Sequence, residues 1–303
     1  VLQACVQLDL FAALAEGPQD GAALAARMDL PATEANRLLQ AAAALDLVAR
    51  RGGGRYGLGR LGAALVQAPG LLAMIRHHAM LYDDLRDPVA LLRRRRADTR
   101  LGAYWDYGPR GDSAAYTDLM AASQPMVAAQ VLGAVDLRRY RCLLDVGGGD
   151  GSFLLEVARV APGLRLMLAD LPGVAEAART RLGDRASVHG VVLPGALPPG
   201  ADIVSLVRVL HDHDDDMALR ILGGVRAALP AGGTVLVAEP MAGAPGAARV
   251  GAYFAMYLLA MGRGRPRTPQ ELASMLRAAG FERPRLRRTV SPMVAQVLMA
   301  RAA

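Results

Sequence analysis

Lysine is missing altogether from this 303-residue chain, and cysteine occurs only twice. With no lysine, all 35 basic side chains are arginines, against 28 acids, for a net charge of +7. An alanine-, glycine- and arginine-rich chain of this kind reflects GC-biased coding, so the positive balance is a weak pointer to nucleic acid or an anionic membrane. The one dense run, Arg93 to Arg96, falls in a helical stretch and reads as a solvated face. Cys5 and Cys142 lie far apart and form no Cys-x-x-Cys pair. That excludes a disulfide framework or a zinc ribbon and leaves both as buried small hydrophobes. No apolar run reaches the roughly 18 residues of a membrane span. The start, VLQACVQLDLFAAL, carries an acid and no basic flank, unlike a secretory signal, so the expected location is cytoplasmic. Internal repeats and low-complexity segments are also lacking. What is present is 53% hydrophobic and 21% charged residues, enough to bury a substantial core, over a length that suits two units.

Residues 2–16 carry apolar positions at helical spacing, and GAALAARMDL forms a second helical stretch after the Gly17-Pro18 break. Pro31 marks a third helix start, with Leu38, Leu39, Ala42, Leu45 and Leu47 on one face. VARRGGGRYGL then reads as two short strands around a triple-glycine turn. Three helices and a hairpin in that order make a winged helix. Such a unit could bind DNA through the basic wing residues Arg50, Arg51 and Arg55. The helix that would enter the groove is largely Ala and Leu, with only Asn36, Arg37 and Gln40 able to reach base edges, which favours a protein-interaction module and no nucleic-acid partner.

Residues 70–139 read as helical throughout, a connecting bundle that holds the single Trp. From residue 140 apolar strands alternate with helices: RCLLDV, LRLMLAD, ADIVSLVRVL, GGTVLVAEP, then PRLRRTV and VAQVLMARA. This alternation predicts an α/β fold, an open and mostly parallel sheet with helices on both faces. The predicted division is a helper domain over 1–95 and a catalytic domain over 96–303.

In such a sheet, ligands bind beyond the carboxyl ends of the strands. The first turn there is Asp145-Val146-Gly147-Gly148-Gly149-Asp150-Gly151, which does not fit Gly-x-Gly-x-x-Gly counted from Gly147. It lets a ligand approach the backbone closely, and a helix starting near Ser152 aims amides and a positive dipole end at a carboxylate, as in the methionine part of S-adenosylmethionine. Asp170, at the end of the next strand, could accept both ribose hydroxyls of an adenosine cofactor; the alternative is a helix cap before Pro172. His211 follows the strand ADIVSLVRVL, and Glu239 ends the strand GGTVLVAEP. A hydroxyl is a poor nucleophile, so an imidazole of ordinary pKa near 6.5 suits the role of base, with a carboxylate to orient it. Glu239 is the first choice for that partner and Asp212 the second. The cluster His211 to Asp214 also contains metal-ligand residue types, but alternate residues on a continuing strand would face apart, and no metal is expected.

LLDVGGGDGSFLLEVA, LADLPGV, VRVLHDHDDDMALRILGGVRAALPAGGTVLVAEP and RTPQELASMLRAAGF resemble, in order, the motifs of the small-molecule O-methyltransferases of plants and bacteria that use S-adenosylmethionine. The resemblance covers nearly the whole chain. It implies a Rossmann-like class I methyltransferase domain behind an N-terminal, mostly helical winged-helix domain that serves homodimerisation. LVRVLHDHDDD and YFAMYLLAMGRGRPRT are most similar to the carotenoid O-methyltransferases acting on 1-hydroxy carotenoids of the demethylspheroidene and hydroxyneurosporene type. Carried over, the resemblance implies Gly147 and Gly149 at the methionine end, Asp170 at the ribose, Leu171 against adenine and His211 as base, with Asp145 and Arg208 completing the cofactor set. Tyr253, Met256, Tyr257 and Met261 become the substrate-pocket candidates, for pliable Met side chains suit a long apolar ligand; the same stripe equally suits a helix that buries one face.

Two departures stand out. The family often has Gly-Asp after its third strand, where this chain has Gly190-Val191, so the acid that meets the adenine amino group is missing. A second acid beside the base would fall near Gly264 to Thr268, where Pro266 stands. Activation then rests on His211 and Glu239, or on position and desolvation. The expected partner is a small lipophilic substrate, received with or without a peripheral membrane contact. Methylation of an aromatic polyketide or phenol, a cofactor-binding relative that does not methylate, and a DNA-binding regulator are the competing readings.

Overall fold

A computed structural model of the chain describes residues 1–93, 98–105 and 113–303, the last without the side chains of 113–118. Residues Arg94 to Arg96 of the basic run, and 106–112 of the aromatic stretch, lie outside the described residues. The chain forms two compact units, Val1–Asp83 and Asp84–Ala303. The division thus follows Asp83, whereas the sequence reading sets it after residue 95.

The first unit carries helices Leu2–Gln7, Leu10–Ala15, Gly21–Arg27 and Ala32–Ala44, then Arg60–Val66 and most of Pro69–Asp84. Its small sheet is β1 (Gln19–Asp20), β2 (Val48–Arg50) and β3 (Arg55–Leu58) in the order β1-β3-β2. The hairpin places Val48 opposite Leu58 and Arg50 opposite Tyr56, with the glycines between the strands. Leu10, Leu14, Leu24, Leu39, Leu47 and Val48 join one core. Leu45, expected on the buried face, is instead exposed: the helix ends at Ala44, and Leu45 turns out as its cap residue.

The stretch 70–139 is not helical throughout. Separate helices Pro88–Leu92 and Arg100–Tyr104 start where side chains take over the first free amides, Asp87 accepting from Ala90 N and Thr99 from Gly102 N. The long helix Ser113–Ala134 follows.

The second unit is built on a seven-stranded sheet: β4 (Cys142–Val146), β5 (Arg165–Asp170), β6 (Ala186–Gly190), β7 (Ile203–Val207), β8 (Thr234–Glu239), β9 (Phe281–Arg287) and β10 (Gln296–Ala302). The order is β6-β5-β4-β7-β8-β10-β9. β4 pairs in parallel with both β5 and β7, and only β10 runs against its neighbours. β4, β7 and β8 are buried along their full length because helices cover both faces; Leu144 and Val146 enter one core and Leu143 the other. The chain winds outward from β4 to β5 and β6, then returns to β7 on the other side. That reversal opens a crevice at the carboxyl ends of β4 and β7.

Candidate active site

A cavity of ≈ 290 Å³ occupies this crevice, lined by the glycine turn after β4, the ends of β5 and β7 and the segment Val191–Leu193. Gly147 takes φ +71, and a Cβ there would lie 2.7 Å from Val209 Cγ2, so the turn can pass beneath a ligand only as glycine. The helix Ser152–Val160 starts at the turn, yet the amide of Ser152 donates to the chain's own Asp150 at 3.0 Å, and Asp150 also pairs with Arg181. The expected free amide at that position is therefore already taken.

The two acids of the cavity differ in what holds them. Asp170 accepts from Gly149 N and from Leu171 N, both at 2.7 Å, linking β5 to the glycine turn. The helix Pro172–Leu182 has Leu171 at its N-cap position, so Asp170 acts chiefly across the crevice and keeps further lone pairs facing it. Burial pushes its pKa up to about 6. Asp145 accepts from Ser205 Oγ at 2.6 Å through Oδ1, while Oδ2 has no protein partner. Burial raises it to about 7, only partly opposed by Ser205. Leu171, Val174, Val191 and Leu193 form an apolar wall beside Asp170. Val191 stands where the acid would have been, so that part of the wall is hydrocarbon.

Arg208 ends β7 with φ +59, the left-handed region that costs a side chain about 1 kcal/mol. Its amide donates to Ala238 O, and its guanidinium reaches Ser123 Oγ at 2.7 Å, Met120 O at 3.1 Å and Gln124 Oε1. It thus draws the helix Ser113–Ala134 to the cavity, whose wall Met120 and Gln124 help to form.

His211 sits on a tight turn, Leu210–Asp212, rather than on a continuing strand. Nε2 lies 3.1 Å from Asp212 Oδ1, Nδ1 lies 3.5 Å from Glu239 Oε1, and that same oxygen accepts the His211 amide at 3.1 Å. Burial alone would lower the imidazole pKa, but the two carboxylates outweigh it and raise it to about 10. Asp212 is held below its usual range: burial opposes this, and His211, then His213 and Arg263, overcome it. Asp212 and His213 form part of the cavity wall, and His211 is not among the residues that line it.

Sequence reasoning missed what fastens this turn. Arg267 is the largest fully buried side chain among the described residues. It donates to Leu210 O and His213 O, both at 2.7 Å, and to Asp215 Oδ1 at 2.9 Å. The carbonyls on both sides of His211 and Asp212 are therefore gripped by one guanidinium. From the same loop Arg265 N donates to His211 O at 3.0 Å. Gly264, at φ +73, passes so close that a Cβ would stand 2.1 Å from His211 O.

The helix Ala248–Met261 supplies Phe254, whose ring meets His211 edge-on at 5.1 Å and stacks on Tyr257. Tyr257 is buried and accepts from Trp105 Nε1 at 2.7 Å, and Met261 is buried as well. Tyr253 is exposed and Met256 half-buried; none of the four pocket candidates lines the ≈ 290 Å³ cavity. Phe254, absent from that set, is the member of this helix in ring contact with the histidine.

Residues 82–282 match the O-methyltransferase domain family, and residues 1–68 match the O-methyltransferase dimerisation domain family. The chain is 44% identical to the demethylspheroidene O-methyltransferase of Cereibacter sphaeroides, over 99% of this chain and 83% of that protein. It is 42% identical to the protein of the same description from Rhodobacter capsulatus, over 99% and 78%. The solved structure of a methyltransferase of calicheamicin biosynthesis in its SAH-bound form is 29% identical, covers 100% of this chain and 93% of its own, and superposes with a TM-score of 0.85.

Proposed function

The chain belongs to the family of S-adenosylmethionine-dependent O-methyltransferases, and from that premise we propose that its acceptor is the hydroxyl of a 1-hydroxy carotenoid, methylated with His211 as base. The acceptor is carried by the two relatives above 40% identity, both described as acting on demethylspheroidene. The cofactor site suits S-adenosylmethionine on two observations: a glycine turn that a Cβ would close, and a buried carboxylate oxygen on Asp145 with no protein partner. In the proposed arrangement Gly147 and Gly149 leave room for the methionine end, Asp170 holds the ribose, Leu171 packs on adenine, and Asp145 and Arg208 complete the polar wall.

When bound, the cofactor supplies an electrophilic methyl group on a sulfonium. His211 takes the acceptor's proton on Nε2 in its neutral form, a minority at neutral pH with the imidazole raised to about 10, and that nitrogen must leave Asp212 as the hydroxyl arrives. Glu239 keeps Nδ1 oriented, and Asp212 stabilises the cation that forms. Two carboxylates around one imidazolium leave the cluster net negative, which favours a cationic donor nearby. Phe254 covers one edge of the imidazole with an apolar ring. Alignment in such a site contributes at most about 7–11 kcal/mol. Homodimerisation through the N-terminal unit and a cytoplasmic, membrane-peripheral location complete the reading; among the described residues, no helix is long and apolar enough to cross a membrane.

The test is incubation with methyl-labelled cofactor and a mixed pool of hydroxylated carotenoids and phenols. Label on a 1-hydroxy carotenoid is the expected result. Label confined to phenols would replace the acceptor, and intact cofactor with no labelled product would remove methyl transfer from this site.

A further inference from the structure

The helix Ala248–Met261 is packed unevenly along its length. Val250 and Tyr253 in its first half are exposed, whereas Tyr257, Leu258, Ala260 and Met261 in its second half are buried. Phe254, the residue whose ring meets His211, lies half-buried between the two parts. The second half is fastened by the short helix Arg100–Tyr104 and the residues that flank it. Thr99 Oγ1 donates to Ala260 O at 2.6 Å, and Trp105 Nε1 donates to Tyr257 Oη at 2.7 Å, both bonds buried. Between them the backbones come close: a Cβ on Gly102 would stand 2.6 Å from Thr99 Oγ1 and 3.2 Å from Met261 O. The short helix is anchored in turn by Asp84, fully buried, which accepts from the amides of Arg100 and Leu101 at 3.0 and 2.9 Å.

Trp105 touches both supports of the histidine turn. On one side its indole meets Tyr257 at 6.3 Å between ring centres and 81° between planes, and Tyr257 stacks on Phe254 at 6.2 Å and 18°. Phe254 then stands 5.1 Å from the imidazole of His211, at 69°. On the other side the Trp105 carbonyl accepts from the guanidinium of Arg263. Arg263 opens the loop whose Arg265 amide and Arg267 guanidinium hold the carbonyls of the histidine turn. Aliphatic side chains could bury the same area without fixing an orientation. A buried indole N–H is costly unless it meets its acceptor, so the Trp105–Tyr257 bond selects one arrangement of the rings.

We propose that Trp105 is a positioning residue for His211: through Tyr257 it sets Phe254, and Phe254 limits how far the imidazole turns when Nε2 leaves Asp212 for the acceptor's hydroxyl. The proposal rests on His211 as base and extends that reading to two residues that touch neither the imidazole nor the cofactor cavity. None of Trp105, Phe254 and Tyr257 lines that cavity, so the effect falls on the rate of transfer and leaves cofactor affinity alone.

The test is the initial rate of label transfer from methyl-labelled cofactor to the pool of hydroxylated carotenoids and phenols, expressed per site that binds S-adenosylhomocysteine in calorimetry. Tyr257→Phe keeps the ring and removes only the hydroxyl oxygen. It is expected to lower the rate per site roughly tenfold, within the about 100-fold that a 1 Å misplacement costs, with S-adenosylhomocysteine affinity unchanged. Trp105→Phe gives the same loss, and the two together give no more than one, because both break one contact. In a Phe254→Leu background neither adds a further loss, which is the mark of residues acting in series. Trp105 is the only tryptophan of the chain, so its fluorescence reports the contact directly, and the emission maximum moves in Tyr257→Phe. A merely structural pair would reduce the number of binding sites and leave the rate per site as it was, and that result would overturn the proposal. So would losses that multiply in the Phe254→Leu background, or an emission maximum that Tyr257→Phe leaves in place. Failure of the base itself shows separately, as turnover retained by His211→Ala.

Discussion

The glycine turn after β4 and the histidine turn after β7 lie on opposite sides of one crevice and are built on contrary principles. At the glycine turn the polar groups are left short: Asp145 Oδ2 has no protein partner, and burial raises both Asp145 and Asp170. At the histidine turn most of them are provided for within the chain, although Nδ1 of His211, 3.5 Å from Glu239 Oε1, is a buried atom without a hydrogen bond. His211 has a carboxylate at each nitrogen, and Arg267 grips the carbonyls of Leu210 and His213. A site completed by a ligand can be left under-satisfied, because binding supplies the missing contacts. A site that handles a proton must hold the backbone of its base in place before the ligand arrives, so those contacts come from the fold.

The largest effect expected from breaking this contrast is at the base. His211→Ala lowers kcat by about 10²–10⁴ while calorimetric cofactor binding persists; a variant with full turnover would remove the assignment. Because the resting imidazole titrates near 10, kcat/KM of the wild type rises with pH across the neutral range. A profile flat from mildly acid to strongly alkaline pH would mean that another group takes the proton. The sign for stability is opposite. The folded pKa is above the ordinary 6.5, so the contribution of His211 is complete below about 6.5 and is lost as pH rises towards 10.

Next in size is Arg267→Leu, which strands buried carbonyls and is expected to cost about 3 kcal/mol in denaturant unfolding. Arg267→Lys should recover part of that stability. If it also recovers kcat in proportion, the guanidinium acts by positioning the histidine turn. On the other side, Asp170→Ala should weaken cofactor binding about tenfold, roughly 1.4 kcal/mol, with kcat at saturation nearly unchanged. An equal fall in kcat would move Asp170 from holding the cofactor to the reaction itself.

The smallest effect sharpens the comparison most. Asp145 has a folded pKa near 7, raised from 3.8, so its ionised form opposes folding at higher pH. Asp145→Asn is therefore expected to gain about 1 kcal/mol above pH 7, a gain that fades towards pH 4, while cofactor affinity falls. Stability and binding moving in opposite directions is the mark of a site left incomplete. At the histidine turn, by contrast, substitutions lower both stability and activity.

How legible each part was follows from how local its signals are. The glycine turn, Asp170 and His211 stood out because a strand end, a turn and a helix start are contiguous in the chain. β6 was weaker, since ASVHG is half exposed and shows no continuous apolar run. Arg267 gave no warning: Arg263, Arg265 and Arg267 alternate along one loop, and nothing local marks the third as buried. Phe254 was one apolar residue among several on its helix, and only the position of that helix against His211 distinguishes it from Tyr253 and Met256. Leu45 was misjudged because the helix stopped one residue short of it.

The order of strands and glycine turns determined by itself the α/β class and the crevice, and the resemblance of the motifs implied the family chemistry. Backbone conformation and hydrophobic patterning act over a few residues and survive in a linear record. The tertiary structure alone decided that Arg267 is buried and grips the histidine turn, and that two carboxylates raise His211. Burial and electrostatic coupling depend on distances between residues remote in sequence, and those distances exist only once the chain has closed on itself.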